Sequence, residues 1–146
     1  MKWVTRSHVH VDRVACPWLI RRFIDNRAEF LFAPAGQVAQ LASEEGATPF
    51  DVPEVELGHR QGRCSFESIL LAYGLRDPAL QRMALVVHAA DIAADMDTDP
   101  LARGLEAIAA GYSLLFPDDE ENLAHQFTVY DALYAWCRLE AAKGGA

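Results

Sequence analysis

The feature that most constrains the fold is a strand, helix and strand in succession at the start of the chain. Lys2 to Val11 alternates apolar and polar side chains, which is the period of a half-buried strand. Pro17 to Asp25 predicts a helix that begins at Pro17, because proline is tolerated in a first helical turn. Glu29 to Ala33 predicts a second strand. Two strands joined by one helix within about 30 residues form a βαβ unit with parallel strands.

The remainder of the chain predicts mostly helices. Gly46 and Gly74 follow two short apolar stretches and predict helix ends, while Asp77 and Asp99 each precede a proline and predict helix starts. The predicted helices are Gln37 to Glu45, Phe66 to Tyr73, Pro78 to Ala93, Pro100 to Tyr112 and Asp119 to Ala142. We therefore predict an α+β fold with a small βαβ-type sheet of two to four strands, five or six helices and an all-helical C-terminal half.

Composition favours one acidic domain spanning residues 1–146. Hydrophobic residues make up 51% of the chain, enough for a single core. The net charge of -8 argues against nucleic acid as a partner, because phosphate binding needs a dense basic face. We find neither a membrane-spanning apolar run nor a secretion signal. Three widely spaced cysteines form no zinc-ribbon pattern and fit a reducing compartment, so we predict a cytoplasmic protein.

The predicted junction between the first strand and the first helix groups an acid, a base and a thiol: Asp12, Arg13 and Cys16. Free amides at a helix start attract anions, and Arg21 and Arg22 follow on the same helix. We predict that the three arginines bind a small oxyanion and that Cys16 and Asp12 act on it. The alternatives are that Cys16 is a buried apolar residue, that Asp12 closes an ion pair, and that the arginines are solvated.

Histidine and carboxylate pairs at helical spacing suggest a metal site. His88 and Asp91 are three residues apart, and Glu121 and His125 are four apart, so each pair projects from one helix face. His59, in the loop before the Phe66 helix, and Glu67, one turn into that helix, can complete the shell. Mixed imidazole and carboxylate ligands suit iron, manganese or zinc. The alternatives are that His88 is a satisfied core residue and that Glu121 and His125 are an exposed pair.

Several long motifs resemble a known family, the C-terminal domain of ChrB proteins. They are VDRVACPWLIRRFID (Val11 to Asp25), PFDVPEVELGH (Pro49 to His59), CSFE (Cys64 to Glu67) and YDALYAWC (Tyr130 to Cys137). The resemblance implies a role in chromate resistance or its regulation. It also supports His59, Asp91 and His125 as site positions, whereas His88 is variable in that family. It implies no particular reaction.

We therefore predict a cytoplasmic chromate-resistance domain that binds a metal ion or an oxyanion such as chromate, in chromate sensing or detoxification. The expected cofactor is one iron, manganese or zinc ion per chain. Two other classes stay open: a metal-dependent oxidoreductase or hydrolase, and a regulatory module that binds a partner protein. We expect neither nucleic acid nor a membrane as partner of this chain, and a homo-oligomer is left open.

Overall fold

A three-stranded parallel sheet lies at one side of the molecule, in a computed structural model that describes residues 1–144. The strand order is β2-β1-β3, with β1 at Lys2–Arg6, β2 at Glu29–Ala33 and β3 at Thr48–Pro49. Trp3 pairs with Phe30 on one side and with Thr48 on the other. The central strand is buried on both faces, since Trp3, Val4 and Thr5 are all inaccessible to solvent. Parallel sheets are typically covered in this way.

Six α-helices supply most of the described chain. They are α1 (Val11–Phe23), α2 (Val38–Glu45), α3 (Ser65–Ala72), α4 (Pro78–Asp91), α5 (Ala102–Leu115) and α6 (Asp119–Gly144), and short 3-10 turns precede α2 and α5. The predicted α+β fold with an all-helical C-terminal half is therefore confirmed. Among residues 1–144, none of the helices is both long and apolar enough to cross a membrane.

The first helix begins earlier than predicted, and this changes the environment of Asp12. Strand β1 ends at Arg6, and α1 starts at Val11, so Pro17 lies inside the helix and not in its first turn. Residues Val11, Val14, Ala15, Trp18 and Leu19 are all buried, which is the spacing of a helix face. This longer pattern outweighs the two-residue alternation up to Val11. Burial of this helix face also outweighs the loss of the backbone hydrogen bond that Pro17 cannot donate.

The turn between β1 and α1 is held by the start of the last helix, α6. His8 adopts a left-handed conformation with φ 66°. Its amide and that of Val9 donate to the Asp119 carboxylate at 3.0 and 2.8 Å. Asp119 is the first residue of α6, so the last helix fixes the turn that precedes the first helix.

The main core lies between α1, α3, α4 and α6. Trp18, Met83 and Tyr130 are among its largest buried side chains. The Tyr130 hydroxyl donates to the Val11 carbonyl at 3.2 Å, and the Trp18 indole donates to Asp131 at 2.7 Å. These bonds satisfy the polar ends of buried aromatic residues and dock α6 onto α1.

Most local helix signals are confirmed. Gly46 is left-handed at the end of α2, with φ 62°. The Asp77 side chain accepts from the Ala79 amide at 2.8 Å at the start of α4. The third predicted helix begins one residue earlier than expected, because Ser65 is the first residue of α3 and Cys64 occupies the cap position. There the Cys64 amide donates to Glu67 Oε1 at 2.9 Å.

Candidate metal centre

Three aspartates converge on one nitrogen of His59. Nε2 of that imidazole lies 3.3 Å from Asp12 Oδ2, 3.4 Å from Asp51 Oδ1 and 3.0 Å from Asp91 Oδ2. The four residues come from distant parts of the chain: the first turn of α1, the segment after β3, the loop before α3 and the last residue of α4. The tertiary fold therefore creates a site rich in carboxylates around a single imidazole.

Asp12 is the buried anchor of this centre, with a side chain only 1% exposed. Its two oxygens accept hydrogen bonds from the amides of Ser65 at 2.7 Å and Phe66 at 3.1 Å. Both amides belong to the first turn of α3, where unpaired N–H groups and the helix dipole favour an anion. The helix start that holds an anion here is that of α3 and not that of α1, and the anion is the carboxylate of Asp12.

The carboxylates of Asp51 and Asp91 also accept hydrogen bonds from donors other than His59. Asp51 accepts from the Ser65 hydroxyl at 2.7 Å through Oδ1 and lies 3.4 Å from an Arg13 nitrogen through Oδ2. Asp91 Oδ1 accepts from the Asp12 amide at 3.3 Å, which leaves Oδ2 facing the imidazole. Donors that orient ligand carboxylates are a regular feature of metal sites.

The loop that carries His59 has a demanding backbone. A Cβ atom at Gly58 would lie 2.6 Å from the Val52 carbonyl oxygen, so any side chain there forces the loop to move. Asp51 has φ 50° and Glu54 has φ 68°, in the left-handed region that disfavours non-glycine residues. The Ser68 hydroxyl donates to the Gly58 carbonyl at 2.6 Å and ties the loop to α3. Strained backbone of this kind concentrates at functional sites.

The centre attracts positive charge. Burial, together with the charges of Asp51 and Asp91, raises the pKa of Asp12 to about 6 against the opposing hydrogen bond from His59. Hydrogen bonds to Asp12, Asp51 and Asp91 raise the pKa of His59 to about 12. A proton on His59 thus compensates the clustered carboxylates, and any cation of suitable size competes with that proton.

The geometry fits a metal ion. One ligand atom from each of Asp12, His59 and Asp91 lies within 4.8 Å of the others. Ligands at about 2.1 Å from a shared ion are separated from each other by roughly 3.0 to 3.4 Å, and the separations from His59 Nε2 fall in this range. Oxygen donors with one imidazole are compatible with iron, manganese or zinc.

A second cluster lies on the same helix start. His88 Nδ1 is 2.5 Å from Glu67 Oε1, His88 Nε2 is 2.6 Å from Asp95 Oδ2, and the Cys64 sulfur lies within 4.8 Å of the Glu67 and His88 ligand atoms. His88 therefore belongs to this group. The predicted pair of His88 with Asp91 is wrong, because Asp91 faces His59.

The structure brings two of the predicted metal ligands together and separates the rest. His59 and Asp91 meet as predicted. Glu121 and His125 belong to neither cluster found in residues 1–144, and both are exposed on the outer side of α6. The His125 ring stacks on Phe116 with centroids 4.0 Å apart. Spacing of four residues put the pair on one face of α6 but did not reveal that this face points to solvent.

The three arginines of the predicted anion site do not converge, because each has its own partner. Arg13 donates to the His8 carbonyl at 2.8 Å, Arg21 to the Ala28 carbonyl at 2.6 Å, and Arg22 to both oxygens of Asp131 at 3.0 Å. They hold three different contacts of α1 instead of one anion.

Cys16 is a buried thiol instead of a reactive thiolate. It is inaccessible to solvent and, at 3.3 Å, its sulfur donates to Asp12 Oδ1. Burial raises the pKa of Cys16, and the nearby Asp12 charge raises it further. This geometry does not support the prediction that Cys16 acts on a bound oxyanion, since a thiol without exposure or ionisation is a poor nucleophile. Asp12 remains a site residue, as a candidate ligand.

Two residues of the centre were missed from the sequence: Asp51 and Ser65. Asp51 lies between Phe50 and Val52, both buried, where an acid has no reason to be buried unless it is paired. An acid between two apolar residues was therefore the sequence signal that could have identified Asp51 as a paired, buried site residue.

The chain is similar to known proteins over nearly its whole length. A family profile described as "ChrB, C-terminal domain" matches residues 3–137. The curated "Protein ChrB" of Cupriavidus metallidurans is 39% identical over 134 residues, which cover 91% of this chain and 40% of that protein. The chain thus spans less than half the length of that relative. No solved structure matches the chain significantly. The family match and the identity agree over nearly the whole chain, which therefore belongs to the ChrB C-terminal domain family.

Proposed function

We propose that this domain binds one transition-metal ion between Asp12, Asp51, His59 and Asp91, and that it uses the ion in cytoplasmic chromate resistance. The observation that supports the proposal is the convergence of three carboxylates on one imidazole nitrogen, at 3.0 to 3.4 Å, around a fully buried Asp12. The role in chromate resistance is what the ChrB family implies.

The charges of the site support a divalent ion. Three carboxylates face two cationic groups, the Arg13 guanidinium and protonated His59. Replacing the His59 proton by a divalent ion balances the negative charge and removes the repulsion among Asp12, Asp51 and Asp91. Binding therefore releases a proton, and the affinity rises with pH.

The donor set favours manganese or ferrous iron. Three of the four candidate ligands are hard carboxylate oxygens, which suit manganese, and the imidazole also suits iron and zinc. Zinc usually takes more nitrogen or sulfur ligands, so we rank it third.

An oxyanion such as chromate is the second element of the proposal. A pocket of about 330 Å³ opens beside His59 and Asp51 and is also lined by Arg6. Arg6 Nε is buried and has no hydrogen-bond partner among residues 1–144. Glu54 lines the same pocket, so anion binding depends on the charge of the metal. Arg6 thus replaces Arg13, Arg21 and Arg22 as the candidate anion contact.

The metal is tested by calorimetric titration of chelator-treated protein with Mn²⁺, Fe²⁺ and Zn²⁺. We expect a tight site at the Asp12 centre whose affinity falls at least tenfold in the Asp91→Asn and His59→Ala variants. His125→Ala is the matched control, since its ring stacks on Phe116 outside the centre. Absence of binding, or an equal loss in the control variant, contradicts the proposal and leaves the metal-free partner-binding module.

The oxyanion is tested separately. Chromate or sulfate should raise the melting temperature of metal-loaded protein more than chloride at the same ionic strength. Arg6→Ala should remove the difference, whereas Arg27→Ala, at an exposed position, should keep it. Equal effects of all anions, or the same effect in metal-free protein, contradict a metal-assisted anion site.

A further inference from the structure

The cluster of Cys64, Glu67 and His88 has the chemistry of a second metal site. It combines a thiol, a carboxylate and an imidazole, with one ligand atom from each within 4.8 Å of the others. Cys64 is inaccessible to solvent, and Glu67 and His88 are partly buried. Thiol, imidazole and carboxylate together are the donors that zinc binds, whereas the Asp12 centre has no sulfur among its candidate ligands.

Two hydrogen bonds already orient the ligands. Asp95 Oδ2 lies 2.6 Å from His88 Nε2, which is the carboxylate–histidine contact that directs the other ring nitrogen toward a metal. That other nitrogen, Nδ1, is the atom that faces Glu67. The Cys64 amide donates to Glu67 Oε1 at 2.9 Å and so fixes the carboxylate at the start of α3.

We propose that Cys64, Glu67 and His88 bind a divalent ion of zinc type, with Asp95 positioning the imidazole of His88. Binding replaces the thiol proton of Cys64 and the proton shared by His88 and Glu67, and both go to solvent. Glu67 also lines a pocket of about 330 Å³, from which water or a small ligand can occupy the remaining coordination position. The two centres share α3, because Cys64 precedes the amides that hold Asp12.

The competing explanation is that Cys64 is a packed apolar residue and that His88 only forms ion pairs. Burial lowers the pKa of His88, but its hydrogen bonds to Glu67 and Asp95 outweigh the burial, and the net shift of the pKa is upward. Ion pairs alone account for His88, Glu67 and Asp95. They do not require a sulfur beside them, so the role of Cys64 separates the two explanations.

Cobalt titration provides that test, because a thiolate ligand gives Co²⁺ an intense sulfur-to-metal charge-transfer band in the near ultraviolet. We expect this band in wild type, its loss in Cys64→Ala, and at least tenfold weaker binding in Glu67→Gln. Cys137→Ala is the matched control, since Cys137 is equally buried but lies on α6. His59→Ala should keep the band while it loses the Asp12 centre.

Several outcomes overturn the inference. They are the absence of the band in wild type, its persistence in Cys64→Ala, and its loss in Cys137→Ala. Melting curves of each variant in chelator establish that it is folded, and Cys64→Ser offers a polar replacement of similar size. Because the Asp12 centre is assessed through His59, failure of the second site and failure of the first are distinguishable.

Discussion

Replacement of Asp12 by asparagine should separate metal binding from stability. The carboxylate is fully buried, and burial raises its pKa in the folded protein from 3.8 to about 6. A folded-state pKa above the unfolded value means that the native protein binds more protons in this range. The stabilising contribution is fully present below pH 3.8 and is lost as the pH rises through about 6. Above that range, the metal-free protein carries an unfavourable buried charge.

The magnitude follows from the pKa shift. Between pH 7.5 and pH 5 the titration of Asp12 alone should contribute on the order of 1 kcal/mol to the free energy of unfolding of the metal-free protein. Asparagine removes that contribution. It can accept from only one of the Ser65 and Phe66 amides through its carbonyl, which costs about 1 to 3 kcal/mol at every pH. The variant should therefore approach wild-type stability at pH 7.5 and fall further behind at pH 5.

The assay is urea unfolding of both proteins in chelator at several pH values from 5 to 8.5. The informative quantity is the difference between variant and wild type. Other carboxylates titrate in both proteins and cancel, for example Asp131, whose pKa is lowered by its hydrogen bond with Arg22. His59 is present in both proteins, but its pKa is raised mainly by the hydrogen bond to Asp12, so its contribution to the difference has the same sign as that of Asp12.

Asp97→Asn is the control, since Asp97 is exposed and pairs only with exposed Arg103. A difference between Asp12→Asn and wild type that stays constant with pH, or that shrinks toward pH 5, refutes the electrostatic argument. Added Mn²⁺ should stabilise wild type and leave Asp12→Asn unchanged.

Three further predictions concern other parts of the molecule. Gly58→Ala should weaken metal binding in calorimetry by at least tenfold, because its Cβ meets the Val52 carbonyl at 2.6 Å, while Gly36→Ala, in open space, should not. Arg22→Ala should lower the free energy of unfolding by at most about 1 kcal/mol, since it removes a half-exposed pair with Asp131. It should do so equally in sulfate and chloride. Finally, fluorescence anisotropy should detect no appreciable binding of duplex DNA at physiological salt, because the chain carries a net charge of -8.

Local signals predicted the elements well where the chemistry is local. Gly46 ends α2 in the left-handed conformation, and Asp77 caps α4 by accepting a hydrogen bond from the Ala79 amide. Both effects involve only neighbours in sequence, so the sequence alone could predict them. The start of α1 was wrong by six residues. There, two periodicities overlap between Val9 and Val11, and burial of the whole helix face decided between them.

Site residues were predicted less completely, since a helical wheel shows which side chains share a face but not what that face meets. His59 and Asp91 were identified, yet the partner expected from α6, His125, lies on Phe116 at the surface. Asp51 escaped notice because its role depends on a loop that returns to α3.

The sequence by itself determined the α+β class, the parallel βαβ unit, the glycine that ends α2, the aspartate that starts α4, and the family. Each of these depends on apolar periodicity, on turn residues or on long motifs that are readable along the chain. Only the tertiary structure decided that Asp12 is a buried ligand candidate and that Cys16 is a buried thiol beside it. The reason is that a carboxylate is held by the amides of whichever helix start lies against it, and α3 begins 53 residues later in the chain.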